Sequence, residues 1–302
     1  MIPLGKLEKI PAEFEQYLQD DSNIVEKTGI LKISLEMDQT KNKTIVIHQY
    51  SKAPLLTQKA LHYDVANPSM AYLFLMSSSG GILQGDRYHI EISVKNKGIA
   101  NITTQGATRI YKMDSNYATQ FVDIDVDDNS YLEFLPDQII PYKKSRYFQQ
   151  VQITTGFDST LVYSEVITPG RVAMGELFDY DLCYLRLTAK NKGGKILFMD
   201  SARLDPKEQQ FSQIGVLGTK SVFGILYIIT KKEQLEQIST DIDVILDNVE
   251  TIGGYSFLPE DSGLVVRLIG NSSEDIKAVI HDCVRVVRKY ILNSTFDQIR
   301  KT

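Results

Sequence analysis

From about residue 30 to about residue 230, apolar and polar side chains alternate with a period of two, and no other feature limits the fold as tightly. That period sends every second residue to the same side of an extended chain, so each such run is a strand with one buried face. In "YHIEISV", Tyr88, Ile90, Ile92 and Val94 share one side while His89, Glu91 and Ser93 share the other. In "FVDIDVDD", Val122, Ile124 and Val126 alternate with Asp123, Asp125 and Asp127. The runs "LKISLEM", "TIVIH", "AYLFLM", "IANITTQ", "YLEFL", "YFQQVQIT", "TLVYSEV", "LCYLRLT", "KILFMD" and "SVFGILYIIT" complete the set. Turns such as "KNKG" at 95–98 and "NKGG" at 191–194 are expected to join neighbouring strands as hairpins.

Helical signals are few. Phe14, Tyr17 and Leu18 suggest a short helix near the start, and residues 232–249 carry apolar side chains at mixed helical spacing. The strongest is the last: Ser272 and Asp275 form a capping box, Ile276, Ile280, Cys283, Val287 and Ile291 line one face, and Arg285, Arg288 and Lys289 approach the negative end of the dipole. The expectation is a mainly β protein. No linker divides it, so residues 1–302 are read as one domain, with a β-rich core over about 30–215 and an α+β part over about 216–302.

Composition removes several function classes. The chain has 302 residues, 43% hydrophobic and 24% charged, which suits a globular protein with a sizeable core. Its 33 basic residues are scattered among 38 acidic ones, for a net charge of -5, so nucleic acid is not an expected partner. The longest strongly apolar run, "FGILYII", is too short to cross a bilayer, and "MIPLGKLEKI" has no signal-peptide core. A cytosolic protein with no membrane association is expected. Cys183 and Cys283 are read as reduced core residues.

The motifs that suggest chemistry fail on context. "SSSGGILQGDR" opens like a phosphate-binding loop, yet Asp86 and Arg87 stand where Lys and Ser or Thr are needed, and a strand follows instead of a helix. The bland alternative is a turn that exploits Gly80, Gly81 and Gly85. "DIDVDDN" offers Asp123, Asp125 and Asp127 at calcium-loop spacing, but Asp128 replaces the required Gly and Phe134 the closing Glu. The four histidines have no metal-binding spacing, leaving only a weak carboxylate-rich path open to a metal ion. Glu165 and Glu176 are the natural candidates for a hydrolytic acid pair. A β-sheet module binding a sugar or peptide is a further alternative.

Six segments stand out in order: "KAPLL" at 52–56, "SGGILQGDR" at 79–87, "TTQGATRIYK" at 103–112, "LEFLPDQIIPY" at 132–142, "GRVAMGELF" at 170–178 and "SARLDP" at 201–206. Taken together they resemble the urease accessory protein family UreD, also called UreH. The resemblance implies an elongated, multi-sheet β-rich fold with few helices, and a protein with no catalytic step of its own. It implies a complex with a helical UreF-like protein and, through it, a UreG-like GTPase. That complex would dock on the urease apoprotein and help load nickel. No tightly bound cofactor is implied, only transient Ni2+. Asp86, Glu133, Glu165 and Glu176 lie in or beside these segments and are candidates for a nickel path. The competing roles are ordinary ones: Asp86 capping a turn, Glu133 facing solvent, and Glu165 or Glu176 paired with Arg171 or Arg203. Arg87, Thr103, Thr104, Gln105 and Tyr111 are expected in structural or partner-facing positions, with the two threonines, Gln105 and Tyr111 forming a polar seam.

Overall fold

A computed structural model describes residues 10–18 and 27–295. The strands are β1 (Thr28–Asp38), β2 (Lys43–Lys52), β3 (Leu55–Thr57), β4 (Ala71–Ser77), β5 (Arg87–Lys95), β6 (Ile99–Thr104), β7 (Thr108–Ile110), β8 (Ala118–Val126) and β9 (Tyr131–Phe134). They continue as β10 (Ile139–Pro141), β11 (Arg146–Thr155), β12 (Thr160–Ile167), β13 (Leu182–Asn191), β14 (Ile196–Leu204), β15 (Val222–Ile229), β16 (Ile252–Phe257) and β17 (Gly263–Gly270). Two α-helices, α1 (Lys232–Asp247) and α2 (Ser273–Ile291), accompany them, and Ala12–Tyr17 forms a 3-10 turn.

Two sheets share these strands. One runs β14-β13-β11-β8-β5-β1-β2, and the other runs β16-β17-β15-β12-β9-β6-β4-β3 with β7 and β10 at its side. From β4 to β13 the chain passes back and forth between them, and successive strands within each sheet lie parallel: β5, β8, β11 and β13 in the first, β4, β6, β9 and β12 in the second. The chain therefore winds as a flattened solenoid. The turn at 191–194 is a hairpin, joining antiparallel β13 and β14. The turn at 95–98 is not: it carries the chain from β5 in the first sheet to β6 in the second, with Asn96 and Lys97 both at positive φ. A tight turn leaves the choice of sheet to packing, because both faces of the turn meet extended chain.

Burial follows from this winding. The inward side chains of the first sheet, among them Leu31, Ile92, Val122, Val151 and Leu187, meet those of the second, such as Ile102, Leu132 and Leu161, in one core. The first sheet keeps an outer polar face and hence its period of two. β12 is buried along its whole length, because α1 and α2 cover the outer face of its sheet. There Val162, Val166, Leu226 and Val266 pack against Ile238, Ile276, Val279, Cys283 and Val287. The Ser272 hydroxyl caps α2 by accepting from the Asp275 amide at 3.1 Å. Phe14 is fully buried against Tyr117 and Phe148, so the 3-10 turn is pinned to one end of the first sheet.

Candidate functional site

The four acids have four different settings. Asp86 is 2% exposed and closes its own turn, accepting from the Leu83 amide at 3.0 Å and the Tyr88 hydroxyl at 3.1 Å. Beside it, Gly85 takes φ 79°, and Arg87 donates to the carbonyls of Tyr117 and Asp86 and to the Asn116 side chain. Gly80 and Gly81 make room for Tyr111: a Cβ on Gly81 would strike its ring and stand 2.6 Å from the Arg109 carbonyl oxygen. The glycine segment is thus a compact strand connection.

Glu133 is fully buried, not solvent-facing. It lies on the side of β9 that meets α2, where Arg288 donates to both its oxygens at 2.6 and 2.7 Å and Tyr131 and Asn101 donate as well. Arg288, also fully buried, reaches Asp64 at 2.9 Å. Burial works against the Arg288 charge, but the bonds and field of Glu133 outweigh it and raise the pKa. Sequence placed Arg288 by the helix dipole; the helix turns it inward to hold the sheet.

Glu176 sits in the loop between β12 and β13. Arg171 grips both its oxygens, from Nε at 2.8 Å and from Nη2, and the Lys143 amide donates at 3.2 Å. The Arg171 bond is the main cause that holds its carboxyl below the usual range. Arg171 also lies over the Tyr142 ring, which meets Tyr111 edge-on. Arg203 pairs instead with Glu13, Asp205 and Glu208. Thr103 donates to the Leu135 carbonyl and Thr104 accepts from the Asp137 amide, while the Gln105 amide donates to the Leu75 carbonyl. These are cross-strand ties.

Glu165 differs from the other three. It points inward from β12, is 5% exposed, and has no cation among its hydrogen-bond partners in the described residues. Its Oε1 accepts from the Tyr163 hydroxyl and from Gln149 Nε2, both at 2.6 Å. Gln149 comes from β11 of the opposite sheet, and Tyr147 and Gln120 donate to its Oε1. Burial pushes the Glu165 carboxyl up to about 7, against the pull of the Tyr163 and Gln149 donors, with Asp200 adding a smaller push in the same direction.

Glu165 lines two cavities, each partly open to solvent and of about 290 Å³. One is bounded by Gly81, Gln105, Thr108, Gln120 and Gln149; the other, more apolar, by Leu187, Asp200, Phe223, Tyr227 and Arg267. Stacked rings run past Glu165, from Phe134 to Tyr163 to Tyr227 to Phe198, with centroids 5.6, 6.1 and 5.6 Å apart. Asp86, Glu133 and Glu176 line neither cavity. Glu165 and Glu176 share no cavity and no partner, so the hydrolytic pair does not form. Among the described residues, no group of three or more His, Cys, Asp and Glu side chains gathers as a metal site would.

Sequence reasoning passed over Gln120, Gln149, Asp200 and Arg267. The available signal was parity. Gln149 falls in step with Tyr147, Val151 and Ile153, and Asp200 with Phe198 and Ala202, so each is a polar residue in an apolar phase of its strand.

The comparisons agree with the resemblance. The family model described as UreD urease accessory protein matches residues 28–301. A "Urease accessory protein UreD" of Cenarchaeum symbiosum is 41% identical over 276 residues, covering 91% of this chain and 96% of the relative. "Urease accessory protein UreD 2" of Brucella canis is 35% identical over 298 residues, 98% of each chain, and the Photorhabdus laumondii protein is 35% identical over 280, covering 92% and 87%. These relatives are named as accessories to an enzyme, not as enzymes. No helix among the described residues is long and apolar enough to cross a membrane. The chain belongs to the UreD family of urease accessory proteins.

Proposed function

We propose that this chain works in the cytosol with a helical UreF-like protein and a UreG-like GTPase in the complex that loads nickel into apo-urease, and that its interior gives nickel a passage past Glu165. The supporting observation is the position of Glu165: one carboxylate, paired with no cation among the described residues, common to two cavities. Cargo must leave as readily as it arrives. A closed nitrogen and sulfur cage would trap nickel, whereas a lone carboxylate with hydroxyl, amide and water oxygens around it binds weakly enough to release it. Asp86, Glu133 and Glu176 support this passage indirectly in our reading, by fixing the turns and the helix that frame it.

The test is urease produced with its accessory set, with and without this chain, together with retrieval of partners on the tagged chain. Omission is expected to leave urease assembled but poor in nickel, and the chain is expected to retrieve the helical protein. Urease that fills equally well without the chain, with nothing retrieved, would overturn the proposal.

A further inference from the structure

The more apolar cavity is lined by β13 and β14 of the first sheet and by β12, β15 and β17 of the second. Asp200 faces inward from β14, an edge strand of the first sheet, opposite Leu187 in register. Arg267 faces inward from β17 of the second sheet, in a transverse row that reads Glu165, Ile225, Arg267. Across the gap between sheets, Arg267 Nη2 donates to Asp200 Oδ2 at 2.5 Å, and the same oxygen accepts from the Tyr227 hydroxyl at 2.9 Å. The Arg267 side chain is 56% exposed and that of Asp200 22%, whereas Glu165 is 5% exposed, so the pair stands on the solvent side of the cavity and Glu165 on its buried side.

From this geometry we infer that the Arg267–Asp200 ion pair is an openable clasp between the sheets that controls entry to the cavity leading to Glu165. Three features support it. The pair joins strands from different sheets that share no backbone hydrogen bonds, so parting it disturbs no ladder. A solvent-exposed ion pair is weak and exchanges readily. When Arg267 swings out, Asp200 keeps the Tyr227 hydroxyl and presents a carboxylate to the cavity that Glu165 also lines. As a gate for nickel, the clasp rests on the passage proposed above; as a gate for access to the cavity, it does not.

Access is measured without metal. Ile225→Cys places a thiol between Arg267 and Glu165, and the natural Cys183 and Cys283 are buried. Ala202→Cys, also in the cavity wall, serves if the first variant folds poorly. The rate of labelling by N-ethylmaleimide is expected to rise about two- to fivefold when Arg267→Gln or Asp200→Asn is added, to rise no further in the double variant, and to stay near the parent with Arg267→Lys. Equal rates in all of them would overturn the clasp. The second arm places cysteines at 200 and 267, joins them with a bismaleimide cleavable by reductant, and reads nickel loading of urease with the full accessory set. The joined chain is expected to load no more nickel than a mixture lacking the chain, and cleavage to restore loading. If the joined chain loads normally while Glu165→Gln loads poorly, the gate is overturned and the passage stands. If Glu165→Gln loads normally, the passage is overturned, and the labelling rates alone decide whether the clasp governs the cavity.

Discussion

Glu165 places a carboxyl where water has been largely removed, without the cation that would normally offset the cost. The consequence is a stability that depends on pH in a defined direction. Below the ordinary range of a carboxyl, folded and unfolded chains both hold the proton, and Glu165 contributes nothing. As pH rises from about 4.5 towards about 7, the unfolded chain loses its proton first, so the folded state loses relative stability; above that range the full cost is present. The shift sets a ceiling of about 3.5 kcal/mol, at about 1.4 kcal/mol for each pH unit. Glu165→Gln removes the proton exchange and keeps the shape. The variant is therefore expected to gain stability on the wild type between about pH 5 and about pH 8, as measured by urea unfolding of both proteins. A difference that does not move with pH would contradict the burial argument. The sequence offered Glu165 as a candidate but not its partners: Gln149 lies on the opposite sheet, and no local pattern reports which strand of one sheet faces which strand of another.

At the scale of elements, the same physics explains how α2 is held. Its apolar stripe was legible from spacing, and the capping Ser272 from its residue type. Arg288 was not, because a cation near a helix C-terminus has an adequate local reason to be there. Its actual partners, Glu133 and Asp64, are 155 and 224 residues away along the chain. A buried ion pair adds little net stability when intact, yet removing one member strands the others without compensation. Arg288→Met is expected to cost about 3–5 kcal/mol in urea unfolding, and Arg288→Met combined with Glu133→Leu to cost less than the two single changes added together. A loss below about 1 kcal/mol for Arg288→Met would contradict the buried network. The glycine turn provides a second test. Gly81→Ala drives a methyl group against Tyr111 and the Arg109 carbonyl and is expected to cost about 1–3 kcal/mol, whereas Gly106→Ala meets nothing within 4 Å and is expected to stay within about 0.5 kcal/mol of the parent.

On the scale of the whole molecule, period-two alternation announced the strands and the turn residues their ends, but alternation is the same for a hairpin and for a solenoid coil. That ambiguity is why the turn at 95–98 reads as a hairpin and turns out to cross between sheets. Winding between two sheets leaves an interior lined by both, and residues from both sheets wall the two cavities at Glu165. The family was legible because its segments, from the glycine turn to the Arg171 loop, build the connections at the ends of the coils, where turn geometry restricts residue choice. The cavities at Glu165 were not, because they are lined by residues from both sheets that no segment contains together. One measurement tests the proposed passage most directly: the nickel content of urease loaded by the complete accessory set, with this chain either wild type or Glu165→Gln. The account predicts urease of normal assembly with nickel reduced severalfold and the partners still retrieved by the variant, and full nickel content with Glu165→Gln would contradict it.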